Sequence, residues 1–117
     1  MNRALVKEAF EYDWFEVNNY CDLNDYEIIK LIDKQVNHEK CKRFNAFVLY
    51  IHTHGIADHI LCKNSYEKNE NDEITKVIHF HQIIELFKDQ NCENLKNKPK
   101  LIFLDFCRKG KKLRILY

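Results

Sequence analysis

The apolar positions of this chain change period several times, and each change marks an element. Leu5, Ala9 and Phe10 fall on one stripe of a helical projection, which predicts a helix from Arg3 to Tyr12. Phe15 and Val17 then alternate with Glu16 and Asn18, the two-residue period of a short half-buried strand. Helical spacing returns with Ile28, Ile29, Ile32 and Val36. Asp22 or Asn24 can cap that helix, because a short polar side chain accepts from its first unpaired N–H groups. Glu27, three residues after Asn24, completes a capping box. The run Ala46-Phe47-Val48-Leu49-Tyr50-Ile51 has no polar interruption and reads as a central parallel strand covered on both faces. It ends at His52-Thr53-His54-Gly55.

Ile60-Leu61-Cys62 is a further apolar patch, followed by a charged, asparagine-rich segment over residues 64–73 that predicts an exposed hairpin or loop. Phe80, Ile83, Ile84 and Phe87 follow i, i+3, i+4, i+7 spacing, so residues 79–88 are expected to be helical. A loop over 91–98 leads to Pro99, which can open a strand because its missing N–H wastes no ladder bond there. The run Leu101-Ile102-Phe103-Leu104 then stops in Asp105-Phe106-Cys107-Arg108-Lys109-Gly110. Strands alternating with helices predict right-handed crossovers and an α/β fold, a mostly parallel sheet with helices on its faces.

The length of 117 residues fits one domain, and two glycines and one proline mark no linker. Hydrophobic residues at 45% and charged residues at 32% describe a folded globular chain. A net charge of +1 supplies no global field toward nucleic acid or membrane. No apolar run approaches the roughly 18 residues of a membrane span, and no leader opens the chain. Five cysteines without a close CxxC pair then predict reduced thiols and a cytoplasmic protein. The basic cluster Arg108, Lys109, Lys111, Lys112 and Arg114 has no interleaved aromatics and reads as a solvated loop. His52, His54, His59, Cys62, His79 and His81 match no structural zinc spacing, so no metal is expected.

Two strands end in reactive side chains, one at His54-Gly55 and the other at Cys107. Sites in open α/β sheets lie just beyond the carboxyl ends of strands. If the two are neighbours, those ends stand roughly 5 Å apart. An isolated thiol, with a pKa of about 8.5, is only slightly ionised at neutral pH, and a nearby imidazole supplies the missing base. The N–H groups of Gly55 and Cys107 could together hold an oxyanion.

These residues resemble a known family. His54-Gly55 after an apolar strand, followed by NLKNKPKLIFLDFCRKG, is similar to the large catalytic subunit of caspases, where a Ser-His-Gly motif precedes a Lys-Pro-Lys-Leu strand ending in Gln-Ala-Cys-Arg-Gly. The likeness covers nearly the whole chain, including DLNDYEIIKLI and LFKDQNCENLKNKPKL. It implies a three-layer caspase-like (caspase-hemoglobinase) sandwich spanning residues 1–117 as one large-subunit domain. That domain is expected to be truncated at both ends, lacking the family's first strand, with its pocket arginine, and the small-subunit strands. The resemblance implies His54 as general acid/base, Cys107 as nucleophile, Gly55 and Cys107 as oxyanion hole, and no organic cofactor. Thr53 replaces the usual serine.

Asp105 departs from the caspase pattern, standing where caspases place a glutamine that helps hold the substrate aspartate. Two carboxylates about 4 Å apart repel by roughly 4 kcal/mol at an effective dielectric near 20, so aspartate specificity is not expected. Paracaspases and metacaspases carry an aspartate two residues before their cysteine and cleave after Arg or Lys, and LDFCRK resembles the paracaspase motif. Asp105 is therefore a substrate-binding candidate for a basic residue. Two functions follow from the resemblance. The first is a cysteine endopeptidase acting through a Cys-His dyad on protein or peptide substrates, incomplete as an isolated chain. The second is a non-catalytic decoy or regulator that binds a full caspase or an adaptor in apoptosis or immune signalling, as a homo- or heterodimer. A flavodoxin-like small-molecule binder is set aside because no glycine-rich phosphate loop is present.

Overall fold

A computed structural model of the chain describes residues 3–12, 15–56, 59–106 and 113–116. In chain order the elements are α1 (Arg3–Tyr12), α2 (Asp25–Val36), β1 (Phe47–Thr53), β2 (Gly55–Ile56), β3 (His59–Leu61), β4 (Val77–His79), α3 (Phe80–Leu86), β5 (Lys100–Phe106) and β6 (Leu113–Leu116), with short 3-10 turns between them. The two continuous apolar runs have become β1 and β5. They pair in parallel, from Phe47 opposite Lys100 to Thr53 opposite Phe106.

Because successive strand residues point to opposite faces, this register sorts the side chains into two sets. Leu49 and Ile51, with Ile102 and Leu104, join the core built by Ile32 and Val36 of α2 and Ile83 and Phe87 around α3. Tyr50, His52, Phe103 and Asp105 lie on the other face, where Phe10 of α1 meets the Phe103 ring edge-on at 6.3 Å and Tyr50 stacks on it at 6.2 Å. The result is helix, sheet, helix: three layers, with the expected parallel pair in the middle one.

Both ends of the local sequence argument for α2 hold. The Asn24 side chain accepts from the Glu27 N–H at 2.8 Å, and the Glu27 carboxylate accepts from the Asn24 N–H at 3.2 Å. Asp25 and Glu27 also place negative charge on the positive end of the helix dipole. Asn64 ties this helix start to the loop after β3, donating to Asp25 Oδ1 at 2.9 Å. Asn24→Ala should cost about 1 kcal/mol, measured as a lower denaturation midpoint with an unchanged denaturant slope.

Four details differ from the sequence reading. Leu5 is 62% exposed and Ala9 is exposed as well, so that of the expected stripe only Phe10 turns inward. Residues 15–18 do alternate between half-buried and exposed, but they form no strand; Phe15 packs on Phe10 at 5.7 Å. The third helix stops at Leu86, and Asp89–Asn91 forms a 3-10 turn tied to β5 by the Lys100 ammonium, 2.5 Å from Asp89 Oδ1. That hydrogen bond holds the Asp89 carboxyl below its ordinary value, so the tie weakens as acid protonates it. The fourth is β6, which lies antiparallel on β5 where the sequence pattern indicated no element.

The site end of β1 is braced by a second, antiparallel sheet of β2, β3 and β4, in which Gly55 pairs with Ile60 and Ile60 with Ile78. Thr53 Oγ1 donates to the Leu61 carbonyl at 2.8 Å and Leu61 N–H donates to the His54 carbonyl at 3.0 Å. These bonds fix the chain direction as it leaves β1. On its other side β1 is the edge of its sheet among the described strands. A groove of about 1460 Å³ follows that edge, lined among others by Phe10, Phe15, Leu31, Phe44 and Tyr50.

Candidate active site

The parallel register sets His52 of β1 directly opposite Asp105 of β5. His52 Nδ1 lies 3.0 Å from Asp105 Oδ2, and the Tyr50 hydroxyl donates to the same oxygen at 3.1 Å. Asp105 is 6% exposed, whereas a third of the His52 side chain reaches solvent. With the carboxylate as acceptor, Nδ1 carries the proton of this bond and Nε2 is the basic nitrogen; that tautomer is assigned from the bonding partner. A carboxylate withdrawn from water is tolerable only with donors such as these around it.

His54 follows β1 by one residue and is exposed, with its carbonyl held by Leu61. Gly55 is buried and opens β2. Cys107 lies outside the described residues, as do Arg108, Lys109, Lys111 and Lys112. The last registered pair is Thr53 with Phe106, and in the sequence the next residue after each is His54 and Cys107. Arg114 sits in β6 opposite Leu104.

Tyr50 and His52 are the residues that sequence reasoning missed; it assigned them to the core and to the strand. A signal was present. His52 and Asp105 are separated by 53 positions, the same offset as His54 and Cys107. Any register that pairs the second couple therefore pairs the first.

The other thiols are packing groups. Cys41, Cys62 and Cys92 are buried and Cys21 is exposed. Burial raises the thiol pKa at Cys41 and Cys92, and at Cys62 burial, with a contribution from the Asp25 charge, pushes it up to about 11. Such groups hold their protons at neutral pH and are poor nucleophiles. Among the described residues no group of three or more His, Cys, Asp or Glu side chains is placed to hold a metal ion. The ring of His79 touches those of His59 and His81, but His79 Nδ1 is engaged as the acceptor that caps α3. No described helix is long and apolar enough to cross a membrane.

Comparison with known proteins agrees with this geometry. Residues 2–115 match the family model described as the caspase domain. The chain is 24% identical to Caspase-1-A of Xenopus laevis over 98 residues, covering 80% of this chain and 25% of that protein. It is 30% identical to Caspase-3 of Mus musculus over 108 residues, 92% of this chain and 35% of the relative. It is also 34% identical to Inactive caspase-12 of Homo sapiens over 64 residues, 55% of this chain and 17% of that protein. The chain thus spans about a third or less of the length of these relatives.

Proposed function

Because this chain belongs to the caspase family, we propose that it is a cysteine-type endopeptidase domain in which Cys107 is the nucleophile and His54 the general acid/base. The observation that carries this reading is the parallel register of β1 and β5, whose last pair immediately precedes both residues in the sequence. His54 takes the thiol proton, the thiolate attacks the peptide carbonyl, and the N–H groups of Gly55 and Cys107 hold the resulting oxyanion. His54 then returns the proton to the leaving amine, and water releases the acyl group from sulfur. Protein or peptide segments are the substrates, in the cytoplasm.

Asp105 binds the substrate side chain and favours Arg or Lys. Its support is the acid itself, held by the Tyr50 hydroxyl and the His52 ring close to the strand end. A second reading, a decoy that binds a full caspase or an adaptor in apoptosis or immune signalling, is favoured by the relative whose name calls it inactive.

Peptide chloromethyl ketones ending in Arg or Asp discriminate these readings, with the labelled cysteine located by mass spectrometry. The protease should be alkylated at Cys107 far faster than at the exposed Cys21, and faster by the Arg probe. Labelling of Cys107 no faster than Cys21 rejects the protease, and co-purification of a caspase then supports the decoy. Preference for the Asp probe rejects the role given to Asp105.

A further inference from the structure

His52 has no place in the chemistry above, yet its ring is bonded to the carboxylate to which substrate recognition is assigned. The pair is asymmetric. Asp105 is nearly sealed from water, while a third of the His52 side chain is open to it. Solvent protons therefore reach the histidine, and their effect is felt at the acid 3.0 Å away, where partial burial leaves the charge poorly screened.

We propose that His52 is a specificity-determining residue: its protonation state sets the charge that Asp105 presents, so that the site prefers a basic side chain when His52 is neutral and loses that preference when His52 is protonated. The proposal rests on the reading of Asp105 as the substrate-binding acid. With neutral His52 donating from Nδ1, the pair carries the single negative charge of the carboxylate. A proton taken from solvent at Nε2 makes it an imidazolium–carboxylate pair of zero net charge. Tyr50 donates to the same Oδ2 in both states. The carboxylate thus keeps its place while its charge is offset, and what changes is the field a substrate meets.

Other charges bear on this face. His54 is two residues beyond His52, just past the end of β1. Helix α1, packed on the same face through Phe10, carries Lys7, Glu8 and Glu11. Arg108, Lys109, Lys111 and Lys112 lie outside the described residues. The added charge at His52 acts on the acid from hydrogen-bond distance, 3.0 Å.

Arginine and citrulline are nearly isosteric and differ in charge, so paired peptide substrates isolate the effect. The ratio of kcat/KM for the Arg over the citrulline peptide, followed from about pH 8 to pH 5, where histidines change charge, should fall about tenfold or more in the wild type. It should stay flat in His52→Asn, whose amide can still donate to Asp105 without titrating. Binding of benzamidine, followed by NMR over the same range, reads the same charge without any cleavage. An amidinium probe that binds with this pH dependence in a chain that cleaves nothing upholds the role of His52 and rejects the protease. Cleavage with a ratio that is flat in the wild type, or that falls equally in His52→Asn, overturns the role of His52 and leaves the protease standing. Should His52→Asn fail to fold, His52→Gln takes its place, and the wild-type ratio remains decisive.

Discussion

Alanine at position 54 should slow alkylation of Cys107 by a peptide electrophile about 30-fold near neutral pH, the gain that full ionisation of the thiol brings. The loss belongs in the rate at saturation and not in the concentration that saturates, because the peptide portion of the probe does not touch the base. The size of the effect follows from ionisation. Without a nearby base, a thiol with a pKa of about 8.5 offers only a few per cent of thiolate at pH 7. The defect should therefore shrink as pH rises and the thiol ionises unaided, so wild type and variant converge in alkali. Equal rates at all pH values would remove His54 from the chemistry. Cys62, whose thiol is pushed up to about 11, serves as an internal comparison for an unassisted buried group.

The second large effect is on stability. Leu104 is 1% exposed and lies in register with Ile51 beneath α2 and α3. Leu104→Ala removes buried methyl groups and leaves a void that close-packed neighbours fill only in part, at a cost of about 2–5 kcal/mol. A domain of this size holds about 5–15 kcal/mol in all, so the melting temperature should fall by roughly 10 °C or more. Leu5→Ala is the control: the same chemical change at a residue 62% exposed should move stability by no more than about 0.5 kcal/mol. Equal losses from the two would contradict the assignment of the core face.

The contrast between those two leucines also explains what was legible in the sequence. The runs that became β1 and β5 were plain, because four or more consecutive apolar residues stand in each where both sheet faces are packed. The capping box was plain because its partners are three residues apart. In α1, helical periodicity put Leu5, Ala9 and Phe10 on one stripe, yet Leu5 and Ala9 are exposed and, of the three, Phe10 alone is half-buried. Phe10 prevails by reaching both Phe15 and Phe103, contacts made by residues outside the helix. The alternation at residues 15–18 was real, but alternation records which side is covered and not whether a partner strand is present. Strands β2 to β4 run for two or three residues, too few to establish a period. Four-residue β6 owes its state to the edge of β5, a tertiary template that no local propensity encodes.

The site was half legible for a related reason. His54 and Cys107 were visible as reactive types at strand ends, and Asp105 as a misplaced charge in an apolar run. The bond from His52 to Asp105 required knowing the register, which the equal offsets imply only once the strands are taken as neighbours.

That same offset governs when the site comes into being. The bonds from Tyr50 and His52 to Asp105 close loops of 55 and 53 positions. A parallel pair has no hairpin turn to nucleate it, and the entropy of closing so long a segment must be met before its contacts give anything back. The helices α2 and α3 and the small antiparallel sheet rest on shorter-range contacts and can form first. A nascent or partly unfolded chain therefore carries histidine, tyrosine and carboxylate as strangers, and the constellation is complete only when the whole topology is.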